Sequence, residues 1–280
     1  MKRVIACIDS SPCINALAEA AAWIATQTQR ELVLLQVLDY YPASYHLGEI
    51  SGVIGFESNA MLLKELAELE QKQSELALDY SNNLLQHISS MIQEKYEIVP
   101  TQIQEKGDFL EQSFSVLNED DIVVIGRVGE KSAERNKALG SNVENFIRGA
   151  NCTVMTVGEH FKAPTRFIFA YEYSPTCIKM MKRIAQSDLL KLLQCHLLYV
   201  GDHPEVLNEP ADFLTAAGLD VVVEYRYGDV AENILDYQRE HGIQLIVLGA
   251  FSHSKIHQFF LGSITTNIFR NSTVPLLVAK

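Results

Sequence analysis

Short apolar runs punctuate this chain, and between them apolar residues return every three or four positions. The runs include "VIACI" (4–8), "LVLLQVL" (32–38), "DIVVIG" (121–126) and "LIVLG" (245–249). They are nearly continuous rather than alternating, which predicts parallel strands covered on both faces. Segments such as 13–27 and 176–193 have the spacing of amphipathic helices. Alternation of the two patterns predicts a doubly wound α/β fold.

The pattern repeats. "VIACIDSSP" (4–12) resembles "FIFAYEYSP" (167–175), which aligns Asp9 with Glu172, 163 positions apart. "LVLLQVLD" (32–39) aligns with "CHLLYVGD" (195–202) at the same offset. Farther on, Gly107 matches Gly228, and Gly140-Ser141 matches Gly262-Ser263, at offsets of 121 and 122. "CTVMTVG" (152–158) matches "TVPLLVAK" (273–280). Two copies of one unit therefore follow each other. Each reads strand, helix, strand, helix, strand, helix, strand, loop, helix, strand. The expected architecture is two mostly parallel five-stranded open sheets, in domains 1–160 and 161–280. A Gly/Pro-bracketed link lies near 158–164.

The fall in offset leaves about forty extra residues in the first copy, within a segment at about 40–93. Its first part, 40–58, reads as a loop. In 59–93, apolar residues at 62, 66, 69, 76, 80, 84, 88 and 91 mark one side of a helix. A helix laid on the sheet is the plainer reading. A partner-binding or lid segment is the alternative.

Length and composition support this division. The chain has 280 residues, 48% hydrophobic and 21% charged, enough for two cores. Its net charge of −12, without a basic run, argues against nucleic acid and anionic membrane surfaces as partners. No stretch reaches a membrane span, and the first residues read as a strand rather than a signal peptide. The expectation is a cytoplasmic protein. Cys7, Cys13, Cys152, Cys177 and Cys195 form no CxxC pair. They read as reduced, buried thiols, with a redox switch or thiol nucleophile as the alternative.

Candidate chemistry lies where strands end. Ligands of parallel α/β sheets bind beyond the carboxyl ends of strands, at a switch in strand order. Asp9 follows the first strand, Gly126 ends the fourth, and Gly249 is its counterpart. "GRVGEKSAERNKALGSNVENFIR" (126–148) holds Gly126, Gly129 and Gly140, with Ser141 opening a helix. Glycines let backbone N–H groups approach phosphate, and a helix start adds donors. Ordinary strand-end and helix-start turns use the same residues. Arg127 and Lys131 offer positive charge, or are solvated loop residues. His253 and His257 have a chelating spacing but no evident third ligand, so no metal site is expected. No GxSxG, HExxH or Walker A sequence appears.

These residues resemble the universal stress protein family, in tandem form, over nearly the whole chain. The family loop reads G-x2-G-x9-G-(S/T), and ATP-binding members use it for ribose and phosphates. They place an acidic residue at the end of strand one. The first copy supplies Asp9, Gly126, Arg127, Gly129, Gly140, Ser141, Asn142 and Val143, with ten residues in the interval. The second supplies Glu172, Gly249, Ala250, Ser252, Gly262, Ser263, Ile264 and Thr265. There Ser252 replaces the second glycine and Glu172 the Asp. Val37 and Val200 mark the end of strand two, where members contact the base. The resemblance implies ATP or another adenine nucleotide, with or without Mg, bound in at least one half, the first being favoured. It also implies pairing of the final strands, 152–157 and 274–279, across the two halves. One chain then imitates the family's dimer, as a monomer or a weak homodimer. The alternatives are a nucleotide-free scaffold for an unknown protein partner and a slow nucleotide hydrolase.

Overall fold

The computed structural model describes residues 2–38, 56–128, 141–249 and 263–279. The first unit comprises β1 (Arg3–Cys7), α1 (Ile14–Thr28), β2 (Glu31–Leu38), α2 (Phe56–Tyr96), β3 (Thr101–Lys106), α3 (Phe109–Val116), β4 (Ile122–Gly126), α4 (Ser141–Gly149) and β5 (Thr153–Val157). The second comprises β6 (Arg166–Ala170), α5 (Pro175–Gln186), β7 (Gln194–Val200), α6 (Asn208–Ala216), β8 (Val221–Arg226), α7 (Val230–Glu240), β9 (Leu245–Gly249), α8 (Ser263–Asn271) and β10 (Leu276–Ala279).

Local chemistry explains the repeat. Gly107 and Gly228 have φ of +139° and +107°, open to glycine but costly for other residues. Each is followed by an Asp that caps a helix. Asp108 accepts from the Leu110 and Glu111 amides at 3.0 Å, and Asp229 from the Glu232 amide at 2.9 Å. The paired Gly-Asp dipeptides are thus strand-to-helix turns.

Within each unit the strand order is the same, β3-β2-β1-β4-β5 and β8-β7-β6-β9-β10. All pairs inside a unit are parallel. β5 and β10 then pair antiparallel, with Leu276 opposite Thr156 and Val278 opposite Val154. The cross-half pairing expected from the resemblance is present. It fuses the two five-stranded sheets into one ten-stranded sheet. A local two-fold relation between the units accounts for the single antiparallel step.

Core residues fall into two clusters. One contains α1, the end of α2 and α5 against the sheet; the other contains α4, α7 and α8. Alanines of α1 (Ala18, Ala20, Ala21, Ala22) are fully buried, so this helix lies close to the strands. Between Lys64 and Tyr80 of α2, no described side chain is buried, whereas Ser81, Leu85, Ile88 and Ile92 are. Among the described side chains of α2, those buried against the core thus come from its final turns. There Ser81 donates to Gln36 Oε1 at 2.5 Å and accepts from Gln104 Nε2 at 2.5 Å. Among the described residues, no helix is long and apolar enough to cross a membrane.

Candidate functional site

The strand order reverses between the parallel neighbours β1 and β4, and both end at the same edge. β1 pairs with β2 so that Cys7 lies opposite Leu35, which carries the register to Asp9 opposite Val37. β1 pairs with β4 so that Ala6 lies opposite Val124, which carries it to Asp9 beside Arg127. Asp9, Val37 and the Gly126–Arg127 step are thus neighbours across three adjacent strands. Such a switch between two parallel strands is the usual place for a ligand in an open α/β sheet.

Asp9 Oδ1 accepts from the Ser11 amide at 3.1 Å, an Asx turn that leads the chain from β1 toward α1. Gly126 does not need positive φ. A Cβ there would meet Cys13 Cβ at 3.2 Å, Ser11 Oγ at 3.4 Å and the Val128 carbonyl at 3.5 Å. A side chain there would press on Cys13, so glycine eases the close approach of β4 to the β1–α1 turn. The Ser11 hydroxyl, buried in that turn, has no hydrogen-bond partner among the described residues.

Arg127 departs from expectation. Its side chain is only 7% exposed. It crosses to the other unit, donating to the Val274 carbonyl at 2.6 Å and also to the Ser272 carbonyl. Burial pulls its pKa down to about 10, so it stays charged at neutral pH. The guanidinium is used by protein carbonyls, so it is a structural clamp rather than a phosphate contact. The reading of Arg127 as a solvated loop residue is corrected by this burial.

Ser141 opens α4, and Asn142 in its first turn is exposed. Val143 is buried among Phe146 and Ile147 and anchors α4 to the sheet. Its side chain is therefore core, and only its backbone belongs to the edge. Val37 is half-buried against the same cluster. Gly129, Gly140 and Lys131 lie outside the described residues.

The second unit places Glu172 by the same rule. Ala170 lies opposite Leu198, which carries Glu172 opposite Val200, and Phe169 lies opposite Val247, which sets Tyr171 beside Gly249. Glu172 Oε1 accepts from the Ser174 hydroxyl at 3.0 Å, and Ser174 in turn caps α5, accepting from the Cys177 amide at 3.2 Å. The acidic group here is tied to a helix cap, where Asp9 is tied to a backbone turn. Ser263 opens α8, Ile264 is exposed and Thr265 half-buried. Ala250, Ser252, His253, His257 and Gly262 lie outside the described residues. Among the described residues, no cluster of His, Cys, Asp and Glu could hold a metal ion.

All five cysteines are buried and free of disulfides. Burial raises the thiol pKa of Cys177 and of Cys195 to about 12, and pushes that of Cys7 up as well. These thiols are protonated and shielded, which suits packing and not nucleophilic chemistry.

Comparison with known proteins is consistent along the chain. A sequence model of the universal stress protein family matches residues 202–280. Universal stress protein Slr1230 of Synechocystis is 29% identical over 288 aligned positions, covering 100% of both chains. Universal stress protein YxiE of Bacillus subtilis is 28% identical over 76 residues, 27% of this chain and 51% of its own. A crystal structure of a universal stress protein from Archaeoglobus fulgidus superposes with a TM-score of 0.69. It covers 99% of this chain and 98% of its own at 19% identity, a likeness of fold.

Proposed function

From the place of this chain in the universal stress protein family, we propose that it is a cytoplasmic stress-response module. It binds ATP or a related adenine nucleotide at the strand-order switch of its first unit. The boundary between the two domains falls at 160/161, and the segment at about 40–93 is an addition to the first. The observation that carries the reading is the convergence of Asp9, Val37 and Gly126 at the β1/β4 switch. Gly126 there lies close against the β1–α1 turn. In this reading Asp9 accepts from a ribose hydroxyl, and the α4 start at Ser141 gives backbone donors to phosphate. Mg accompanying the phosphates would be held by the nucleotide more than by the protein, because no acidic cluster adjoins the described site. Glu172, Gly249 and Val200 form the weaker counterpart in the second unit, where Ser252 stands in place of the second loop glycine and Glu172 in place of the Asp.

The test starts from freshly purified protein. Bound small molecules are released and identified by mass spectrometry, and stripped protein is titrated with ATP. Adenine nucleotide in the released fraction, and binding lost in Asp9→Ala but retained in Glu172→Ala, supports the first unit as the site. Stripped, folded protein giving no signal at millimolar ATP rejects the reading.

A further inference from the structure

Residues 64–80 of α2 carry a face without a covering partner among the described residues. Leu69, Leu76 and Tyr80 are 56%, 69% and 60% exposed. Together with Leu66 they follow spacings of three, four and seven. This stripe continues directly into Leu84, Ile88 and Met91, which pack into the core from the end of the same helix. One apolar seam therefore runs along α2, buried at one end and open at the other. A seam repeating every seven residues is the pattern by which two helices wrap around each other. Lone exposed leucines are unremarkable; an aligned row of them on a projecting helix indicates a partner.

We propose that this overhang pairs antiparallel with the same segment of a second copy of the chain, giving a two-fold dimer. The charges flanking the seam set the register. Glu65 immediately precedes Leu66, and Lys72 immediately precedes Gln73, the one polar residue in the seam. When Leu66 faces Leu69 of the partner subunit, Glu65 lies opposite Lys72 of the partner subunit, and the symmetry repeats the pair. Four other polar residues pair along their own helix: Lys64 with Glu68 at 4.0 Å, and Gln71 with Glu75 at 2.9 Å. An antiparallel pair is self-complementary and closes at two copies. The unit-to-unit pairing of β5 with β10 is already satisfied within one chain, so that surface is not free for a second copy. This inference stands independently of nucleotide binding.

Sedimentation velocity of the full chain over rising concentration tests it. The expected result is a monomer–dimer equilibrium. Leu69→Glu with Leu76→Glu should give a monomer of unchanged circular dichroism, because both side chains are exposed. Glu65→Lys alone and Lys72→Glu alone should each weaken the dimer about tenfold, and the two together should restore it. A wild-type chain that stays monomeric at hundreds of micromolar overturns the proposal. So does a dimer that survives the double leucine change, which would place the contact elsewhere. Failure of the charge swap to restore association overturns the antiparallel register. A species larger than a dimer overturns the closed pair.

Discussion

The Arg127 guanidinium donates to the Val274 carbonyl at 2.6 Å across 147 positions of sequence. It joins the end of β4 in one unit to the turn before β10 in the other, beside the antiparallel β5–β10 pair. The two units are thus held together by a charged clamp as well as by strand pairing.

Replacing Arg127 by Met keeps most of its stem but removes a charged donor from both carbonyls, of which Val274 keeps the Ser272 hydroxyl at 2.9 Å. Hydrogen bonds to a charged group contribute about 1.5–3 kcal/mol, so Arg127→Met should destabilise the chain by about 2–3 kcal/mol. Urea unfolding followed by circular dichroism measures this. If the clamp joins the units, the loss should appear as a weakened or split transition.

At the same junction, Thr156 presents a hydroxyl that is fully buried and without a hydrogen-bond partner among the described residues. Thr156→Val removes that group at nearly the same volume. It should stabilise the protein by about 1 kcal/mol, read as a raised thermal midpoint. An unchanged or lowered midpoint would show that the hydroxyl is satisfied in solution.

Arg3 and Asp121 tie β1 to the start of β4, with Arg3 Nη2 2.6 Å from Asp121 Oδ2 and the Asp121 side chain fully buried. Asp121 holds the Arg3 guanidinium above its ordinary pKa. Removing the cation strands a buried carboxylate. Arg3→Met should therefore cost about 3 kcal/mol, and Arg3→Met with Asp121→Asn should recover part of it. Chemical denaturation of the two variants decides.

His196 is buried on β7, its Nδ1 2.8 Å from the Tyr237 hydroxyl and its Nε2 3.2 Å from Gln194 Oε1. Burial first, then the nearby His241 and Arg166, lower its pKa, and Asp220 opposes them. The unfolded chain thus takes up a proton near pH 6.5 while the folded one does not. Stability is full above that pH and is lost as pH falls from it toward the folded pKa. Melting temperature should decline through this window in the wild type and decline less in His196→Gln.

With every thiol buried and Cys7, Cys177 and Cys195 raised in pKa, the native protein should react with a thiol reagent negligibly. All five should react once denaturant is added. Fast native labelling of one cysteine would mark a site of local opening.

Much of this protein is determined by sequence alone. The apolar runs specify the strands, because parallel strands covered on both faces need continuous apolar chains. The repeated Gly-Asp pairs specify the strand-to-helix turns, because positive φ and a side-chain cap are properties of those residues. The repeat itself specifies two units, and Asp9 and Gly126 are legible because a strand end plus glycine is a local signal. Tertiary structure alone decided the rest. That the Arg127 guanidinium serves Val274 and Ser272 depends on contacts 145 and more positions away. That Val143 is core rather than edge depends on which face of α4 meets the sheet. The apolar stripe of α2 predicts a helix with equal force along its length, yet among its described side chains only those from Ser81 onward are buried. Periodicity records that a face is apolar. The shape of the rest of the molecule decides what, if anything, lies against it.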